Sequence, residues 1–552
     1  MKVKEIKNIP YLIICLCVAF GMTGGFFDHS VAVIGVAIIG CMFTMLVNGA
    51  DFYERDKRII FLIPVMLVCV AVVVSFWAVD YMENFMGIMR LAVVCLWIYL
   101  VRSSRKTDVL LTKKILPFMG FLSVIISLAS YYIPALMPYF WENRRMSGFF
   151  QYANTNGLFF SVGIMLLIYR IGEQKLNRLE WVELLSLVAG LLLTGSRSVL
   201  LLLLVFSILY AVRTKEFRKI LVLGSGIFLG FSSIYVLVTG NVNNIGRIFT
   251  IFSSNSTLWG RLLYYRDAIL LLLGKCFGLG RLGYYYSQGT FQSGIYRIKF
   301  VHNDFLQIAL DYGWIALILL LVFLGWQIIK GTQSKEEKGI LLFICVASLV
   351  DFHCQYLFIV MILCLFFDYG ECVKEKKNQR KENYFMLPVW GVLFLYIAIA
   401  TGSSKMGNQT LALSMLPDYT NAQEKIILEK GGTVEAYEIA NSLIEKNPYN
   451  LTAYVVRGYF YGSRLCVEEC IADLDRTLEL DPYNTSYYAQ YEVLLENMED
   501  AIQASGIQED SKEWLELLRQ RKTTLKTQLE EVEERTSFLA YKIKDKPVFT
   551  YK

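Results

Sequence analysis

The sequence predicts an all-α protein in which a polytopic helical membrane body precedes a smaller helical domain. Three observations lead to this prediction. The 552 residues are 55% hydrophobic and 18% charged, whereas soluble proteins carry about 25% charged residues. Apolar runs of membrane-spanning length recur throughout residues 1–402. Residues 403–552 carry a net charge of −8, whereas the preceding residues carry +14. This composition excludes a soluble enzyme, a nucleic-acid binder selected by overall charge and a disulfide-built secreted module.

The membrane body, residues 1–402, is predicted from its apolar runs. A helix crosses the hydrocarbon layer with about 20 apolar residues. The runs indicate about 12–13 transmembrane helices, depending on whether 338–351 and 354–369 form one broken helix. The predicted spans lie near 10–27, 31–48, 59–78, 86–102, 115–137, 155–170, 180–195, 198–213, 219–239, 303–329, 338–351, 354–369 and 385–401.

The orientation of these spans follows from the distribution of Lys and Arg among the short loops, because cytoplasmic loops are enriched in both. Every second loop is basic, as in DFYERDKR and RTKEFRK, and the early loops between them, FFDHS and WAVDYMEN, contain no Lys or Arg. We therefore expect a multi-pass protein of the cytoplasmic membrane. Its N-terminus lies inside the cell, and residues 403–552 lie outside.

Three predicted outer segments contain arginines, although the bias described above places most Lys and Arg in cytoplasmic loops. The segments are 141–156, which contains Arg145, 194–198, which contains Arg197, and a long loop, 240–301. That loop contains Arg247, Arg261, Arg266, Arg281 and Arg297. These arginines either bind phospholipid phosphates or form one site for an anionic substrate. Arg197 favours the second interpretation, because it lies between two closely joined spans at the depth of a lipid-linked phosphate.

The three histidines differ in their surroundings. His29 lies in a short turn and is interpreted as an ordinary loop residue, and His353 lies between two short apolar segments and is interpreted as structural. His302 ends the arginine-rich loop and begins a long apolar helix. An unperturbed histidine titrates near pH 6.5, which suits removal of a proton from a hydroxyl group. A simple polar helix cap is the alternative role for His302.

The twelve cysteines offer little support for a metal site or a disulfide framework. Eight of them lie in or beside apolar spans, where a thiol behaves as a small hydrophobic group. No pair has the spacing of zinc ligands with histidine. We therefore expect no metal and no cofactor.

Residues 403–552 contain one internal repeat. EKNPYN at 445–450 recurs as ELDPYN at 479–484, an offset of 34 residues. This is the period of the tetratricopeptide repeat, in which pairs of helices stack. Flanking helices at 421–430, 486–503 and 511–540 are expected to cap the repeats. Such a domain either binds a protein partner or covers the membrane body.

Four sequence elements follow one another around the outer arginines. They are Arg145-Met-Ser-Gly148 with Asn154, Thr194-Gly195-Ser196-Arg197, Gly260-Arg261 with FGLG at 277–280, and His302-Asn303 with Leu306, Asp311 and Gly313. The ordered set resembles the bacterial O-antigen ligase and O-antigen polymerase superfamily over about residues 140–370.

The resemblance implies a membrane glycosyltransferase that moves glycan from an undecaprenyl-diphosphate-linked donor, without metal, and by inversion. The acceptor is a hydroxyl group of a glycan, lipid or protein outside the cytoplasmic membrane. His302 is then the general base, and Arg197 and Arg261 bind the pyrophosphate, whose developing charge guanidinium groups stabilise. The remaining candidate substrate-binding residues are Arg145, Arg266, Asn154, Asn303 and Asp311.

Three alternatives remain open from the sequence. A ligase transfers a finished polymer to a terminal acceptor, and a polymerase joins repeat units on the lipid carrier. Both would use the same four elements. A flippase or transporter of lipid-linked glycan, without covalent chemistry, would also need outer arginines and many spans. Transporters usually have related halves, and no such symmetry relates 1–200 to 200–400.

Overall fold

The computed structural model describes residues 8–48, 53–55, 57, 59–219, 221, 257–374, 380–505, 511–543 and 545–551. Across these ranges the protein is helical with only short strands, which confirms the all-α prediction. Most of the predicted span 219–239, and Arg247 in the loop that follows, lie outside the described residues.

The helices of the body follow the apolar runs of the sequence. Each predicted span within the described ranges coincides with one helix. These helices are α1 (Ile9–Gly21), α2 (Asp28–Val47), α3 (Ile59–Val74), α4 (Tyr81–Arg102), α5 (Lys106–Ser130), α7 (Ala153–Glu173), α8 (Arg178–Thr194), α9 (Arg197–Arg213), α12 (Asp304–Lys330), α13 (Lys335–Ala347), α14 (Leu357–Leu365) and α15 (Arg380–Lys405). A short helix, α6 (Met137–Phe140), precedes α7.

Six helices of the described ranges are long and apolar enough to cross a membrane: α2, α4, α5, α7, α12 and the part of α15 from Met386 to Lys405. Several helices expose large aliphatic side chains such as Leu185, Leu209 and Ile315. Extended apolar surface of this kind is expected of helices that face lipid. The chain is therefore a polytopic membrane protein.

Two short antiparallel strand pairs join segments of the body. β1 (Tyr53–Arg55) pairs with β4 (Cys372–Lys374), which brings together two loops predicted on the same side of the membrane. β2 (Trp141–Glu142) pairs with β3 (Arg145–Met146). The two residues between β2 and β3 both have positive φ, as a tight hairpin turn requires. This hairpin fixes the backbone of Arg145.

The predicted loop 240–301 contains helical structure in its described part. α10 (Thr257–Gly274) and α11 (Gly283–Ser287) lie within it. The carboxyl group of Asp267 fixes α10 by accepting hydrogen bonds from the Ser293 amide at 2.8 Å and the Tyr296 hydroxyl at 2.8 Å. Asp267 is buried, so these contacts hold α10 against the segment that leads to His302.

The FGLG segment at 277–280 packs against an interruption in α12. Gly313 has φ of 81° and interrupts the helix. The carbonyl groups of Leu310 and Asp311 accept hydrogen bonds from the amides of Leu279 and Gly280 at 2.8 and 2.9 Å. A Cβ atom on Gly313 would lie 2.7 Å from the carbonyl oxygen of Cys276. Glycine is therefore needed at 313 both for its φ and for this close backbone contact.

The C-terminal helices follow α15 as a series of helices joined by short turns. α19 begins at Leu451 and α21 begins at Thr485, which is the 34-residue offset of the sequence repeat. The tetratricopeptide assignment itself stays a prediction. The C-terminal helices are α16 (Gln409–Met415), α17 (Thr420–Glu429), α18 (Val434–Lys446), α19 (Leu451–Gly462), α20 (Val467–Leu480), α21 (Thr485–Ser505) and α22 (Ser511–Glu534).

Asp80 joins the C-terminal helices to the body. One oxygen of its carboxyl group accepts a hydrogen bond from the amide of Glu83 and caps α4. The other accepts hydrogen bonds from the Thr420 hydroxyl at 2.9 Å and the Asn447 amide at 3.2 Å. Because Asp80 is buried, loss of its carboxylate would leave both partners unsatisfied.

Candidate active site

The candidate active site is built around Asp351, which lies in the segment between α13 and α14. Its side chain is fully buried, at 0% exposure, whereas the side chains of His302 and Arg261 keep 22% and 15% of their surface. A substrate could therefore reach the histidine and the arginine but not the carboxylate. Asp351 orients its neighbours rather than contacting a substrate directly.

Five groups converge on the Asp351 carboxylate. His302 Nδ1 lies 2.9 Å from Oδ1, and Arg261 donates from Nη2 to Oδ2 at 3.0 Å. The hydroxyl group of Tyr152 lies 2.9 Å from Oδ1, and Asn154 Nδ2 donates to Oδ2 at 2.7 Å. The backbone amide of the next residue donates to Oδ1 at 3.0 Å. One buried carboxylate thus connects the predicted base to a predicted phosphate-binding arginine.

These contacts keep Asp351 ionised. Burial by itself raises the pKa of a carboxyl group, but the hydrogen bond from His302 and the charge of Arg261 outweigh it. Together they hold the pKa of Asp351 well below its ordinary value. An ionised carboxylate only accepts hydrogen bonds, so we assign the proton of neutral His302 to Nδ1. Its Nε2 atom then carries the lone pair that a general base needs.

Aromatic side chains and a tyrosine hydroxyl set the position of the His302 ring. The ring centroid lies 5.0 Å from that of Phe352 and 6.1 Å from that of Tyr264, with which it is stacked. The hydroxyl group of Tyr265 is within hydrogen-bond distance of the carbonyl oxygens of His302 and Leu349. These contacts hold His302 on both its backbone and its ring.

Arg145 extends the network to another part of the chain. Its Nη2 donates to Asn154 Oδ1 at 2.7 Å, and its Nε donates to the carbonyl oxygen of Thr194 at 2.7 Å. Asn154 therefore bridges Arg145 and Asp351. The Thr194 contact places the Arg145 guanidinium beside the turn that leads into α9. Gly195 has φ of 60° in this turn, and Arg197 is the first residue of α9.

Family comparison identifies the central part of the chain. Residues 183–321 match the family model described as O-antigen ligase. The chain contains an O-antigen ligase domain. This confirms the predicted relationship to the O-antigen ligase and polymerase superfamily, whose members are integral membrane proteins that act on lipid-linked glycans. No curated protein matches the chain.

The matched O-antigen ligase domain supplies only part of the network. Arg197, Arg261 and His302 lie within it. Arg145 and Asn154 precede it, and Tyr152 and Asp351 lie outside it as well. The complete candidate site therefore needs the segment before the matched domain and the break that follows α13.

Three further predicted site residues, Arg266, Asn303 and Asp311, make their described contacts with groups other than Asp351. Arg266 lies on α10, where its Nη1 pairs with Asp267 at 2.9 Å. Asn303 is the N-cap of α12 and accepts a hydrogen bond from the amide of Leu306 at 3.0 Å. Asp311 accepts a hydrogen bond from Gln307 Nε2 at 2.8 Å. Their assignment to substrate binding stays a prediction.

Asp351 and Tyr152 belong to this network but are not among the site residues predicted from the sequence. The sequence does contain a signal for Asp351, since a carboxylate between two apolar segments is costly unless it is paired.

His353, two residues after Asp351, is fully buried, and its Nδ1 lies 3.1 Å from the Thr155 hydroxyl. Burial lowers the pKa of His353 to about 4. It is therefore neutral near pH 7 and fits the structural role expected of it.

Proposed function

We propose that this protein is a glycosyltransferase of the O-antigen ligase type. It transfers glycan from an undecaprenyl-diphosphate-linked donor to an acceptor hydroxyl at the outer face of the cytoplasmic membrane. The observation that carries the proposal is the contact of His302 and Arg261 with the same buried carboxylate, Asp351. A base and a cation for the leaving group are thereby held at a fixed separation, as an in-line displacement requires.

In the proposed reaction, Nε2 of His302 removes the proton of the acceptor hydroxyl. The acceptor oxygen forms a bond to the anomeric carbon of the donor as the bond from that carbon to the pyrophosphate oxygen breaks. The electron pair of the broken bond leaves with undecaprenyl diphosphate. A single displacement of this kind inverts the anomeric configuration. Asp351 stabilises the imidazolium that forms, as a carboxylate paired with histidine does elsewhere.

The arginines provide the positive charge that stabilises the diphosphate of the leaving group. Arg261 uses one nitrogen to pair with Asp351 and retains further N–H donors for phosphate oxygens. We assign Arg197 and Arg145 to the same pyrophosphate, because Arg145 contacts the turn from which Arg197 begins α9. Fixed guanidinium groups in a site of low polarity stabilise charge that develops in the transition state. The proposed chemistry needs no metal.

The test uses the purified full chain, donor extracted with its lipid carrier, and acceptor from the same cells. Wild-type protein is expected to form a covalent product and release undecaprenyl diphosphate. His302→Ala should lose transfer, and His29→Ala, a histidine outside the network, should retain it. Movement of intact donor across the membrane without bond cleavage would contradict the proposal and favour a transporter. The length of the glycan left on the carrier in a deletion strain distinguishes ligase from polymerase.

A further inference from the structure

A polar cavity lies where the C-terminal helices meet the body. Its volume is about 340 Å³, which is within the size range of small-molecule sites. Side chains from both parts of the chain line it, and the charged and polar ones are Glu83, Tyr285, Tyr286, Arg297, Lys299, Asn421 and Glu424. Asn421 and Glu424 belong to α17, and the others belong to the body. The cavity therefore exists only when the two parts are joined.

The walls of this cavity are held in place by contacts on each side. Asp80 binds the hydroxyl of Thr420, the first residue of α17, at 2.9 Å. Glu424 accepts a hydrogen bond from Asn450 Nδ2 at 2.8 Å. Arg297 lies 5.2 Å from the ring centroid of Tyr285 and 3.6 Å from the carboxylate of Asp481. A preformed site loses less entropy on binding than one that orders on contact.

The chemistry of the lining limits the occupant. Its charged groups are of both signs, and two of them already have partners: Arg297 pairs with Asp481, and Glu83 pairs with Arg281. The cavity therefore lacks the cluster of unpaired cations that a simple anion would require. Burial raises the pKa of Glu424 to about 7, so this carboxyl group can donate as well as accept a hydrogen bond near neutral pH. The amide of Asn421 also has both donor and acceptor atoms. Mixed donors and acceptors beside tyrosine rings suit a ligand rich in hydroxyl groups.

The cavity lies near the candidate active site, with packed aromatic side chains between the two. Its lining residue Tyr286 belongs to a cluster that includes Phe300 and Phe352. The ring centroid of Phe352 lies 5.7 Å from that of Phe300 and 5.0 Å from that of His302. Lys299 precedes His302 by three residues on the same segment. A glycan whose reacting sugar lies at His302 could extend toward this cavity.

We propose that this cavity is a saccharide subsite that holds a sugar residue of the glycan away from the reacting bond. The C-terminal helices then take part in substrate recognition through Asn421 and Glu424. This inference rests on the proposed glycosyl transfer. The sugar belongs either to the acceptor or to the donor, and the same hydroxyl-rich chemistry applies to both.

The first test measures binding of methyl glycosides of glucose, galactose, mannose, N-acetylglucosamine and N-acetylgalactosamine to the full chain in nanodiscs. Saturation-transfer NMR is expected to detect at least one of them with wild-type protein. Asn421→Ala and Glu424→Ala should weaken that binding by about tenfold, as expected for a lost hydrogen bond. Asn497→Ala and Glu496→Ala carry matched changes on α21 and should bind like wild type. Absence of binding, or equal binding by all variants, would overturn the proposal.

A second measurement assigns the sugar to its source and separates this inference from the proposed function. The glycoside that binds is added to the transfer assay, and competition with acceptor or with donor identifies which substrate uses the cavity. Inhibition that is competitive with neither acceptor nor donor would overturn the assignment of this cavity as a saccharide subsite. If wild-type protein moves intact donor across the membrane without bond cleavage while binding still depends on Asn421, the proposed function fails and the saccharide site remains. Thermal unfolding of Asn421→Ala and Glu424→Ala detects any loss of folding, and Glu424→Gln, which keeps the shape and hydrogen-bonding atoms of the side chain, should restore binding.

Discussion

His302 Nδ1 lies 2.9 Å from Oδ1 of Asp351, although 49 residues separate the two in the chain. His302 directly precedes the N-cap of α12, and Asp351 lies in the break between α13 and α14. The amide of Asp304 donates to the carbonyl oxygen of Ser348 at 2.8 Å, which ties these two segments together. The pair therefore depends on the packing of three helices.

Asp351→Asn is expected to abolish most transfer without unfolding the protein. The new amide can donate a hydrogen bond to Nδ1 of His302, which favours the tautomer that protonates Nε2 and removes the base. We expect kcat to fall by about 10²-fold or more. Asp473→Asn is the control, since Asp473 is also buried and paired with an arginine, Arg457, at 2.7 Å. Equal rates for both variants would contradict the role of Asp351.

Arg261 and Arg266 lie on the same helix, and substitution should affect them differently. Lysine cannot pair with a carboxylate and present a second fixed donor to phosphate as a guanidinium group does. Arg261→Lys should therefore lower kcat by about 10²-fold. Arg266 is half-exposed and pairs with Asp267, so Arg266→Lys should remain close to wild type. A larger loss in Arg266→Lys than in Arg261→Lys would reverse this assignment.

Gly313→Ala is expected to destabilise the protein, because position 313 has φ of 81° and the new Cβ would lie 2.7 Å from the carbonyl oxygen of Cys276. A residue held in a sparsely populated conformation costs about 1–3 kcal/mol, so the melting temperature should fall. Gly325 lies on the same helix, and a methyl group added there would meet no neighbouring group within 4 Å. Gly325→Ala should leave the melting temperature unchanged or raise it. Similar values for both variants would argue against the packing of 277–280 on this break.

His353 should make the protein acid-sensitive. Burial lowers its pKa to about 4 in the folded state, whereas an unfolded histidine titrates near 6.5. Between these values the unfolded chain binds the additional proton, so stability is lost as the pH falls from about 6.5 to 4. His353→Gln should flatten the dependence of melting temperature on pH over this range. An unchanged slope in His353→Gln would exclude His353 as the cause.

Much of the fold could be predicted because apolar length determines which segments can cross a membrane. The spans near 31–48 and 303–329, for example, correspond to α2 and α12, which are long and apolar enough to do so. The sequence pattern does not predict α10 as a helix, because arginines and tyrosines interrupt its apolar residues, as in GRLLYYRDA. Its helical state depends on tertiary contacts such as those of Asp267.

The candidate site could be predicted only in part. Arg261 and His302 stand out because of their positions in the predicted topology, and they do share Asp351. A carboxylate between two apolar segments signals that it must be paired, but the sequence does not show that its partner is His302, 49 residues away. Asp311 stays a predicted substrate-binding residue, and the structure adds that its carbonyl group accepts the amide of Gly280 in the packing around Gly313. This backbone contact has no signal in the sequence.

The most direct test of the central claim compares transfer by wild type, His302→Ala, Asp351→Asn and the double variant in single-turnover experiments. Residues that act as one unit give strongly non-additive losses. If Asp351 acts through His302, the double variant should be no slower than His302→Ala alone. Near-wild-type transfer by His302→Ala, or a double variant whose loss equals the product of the two single losses, would contradict the account.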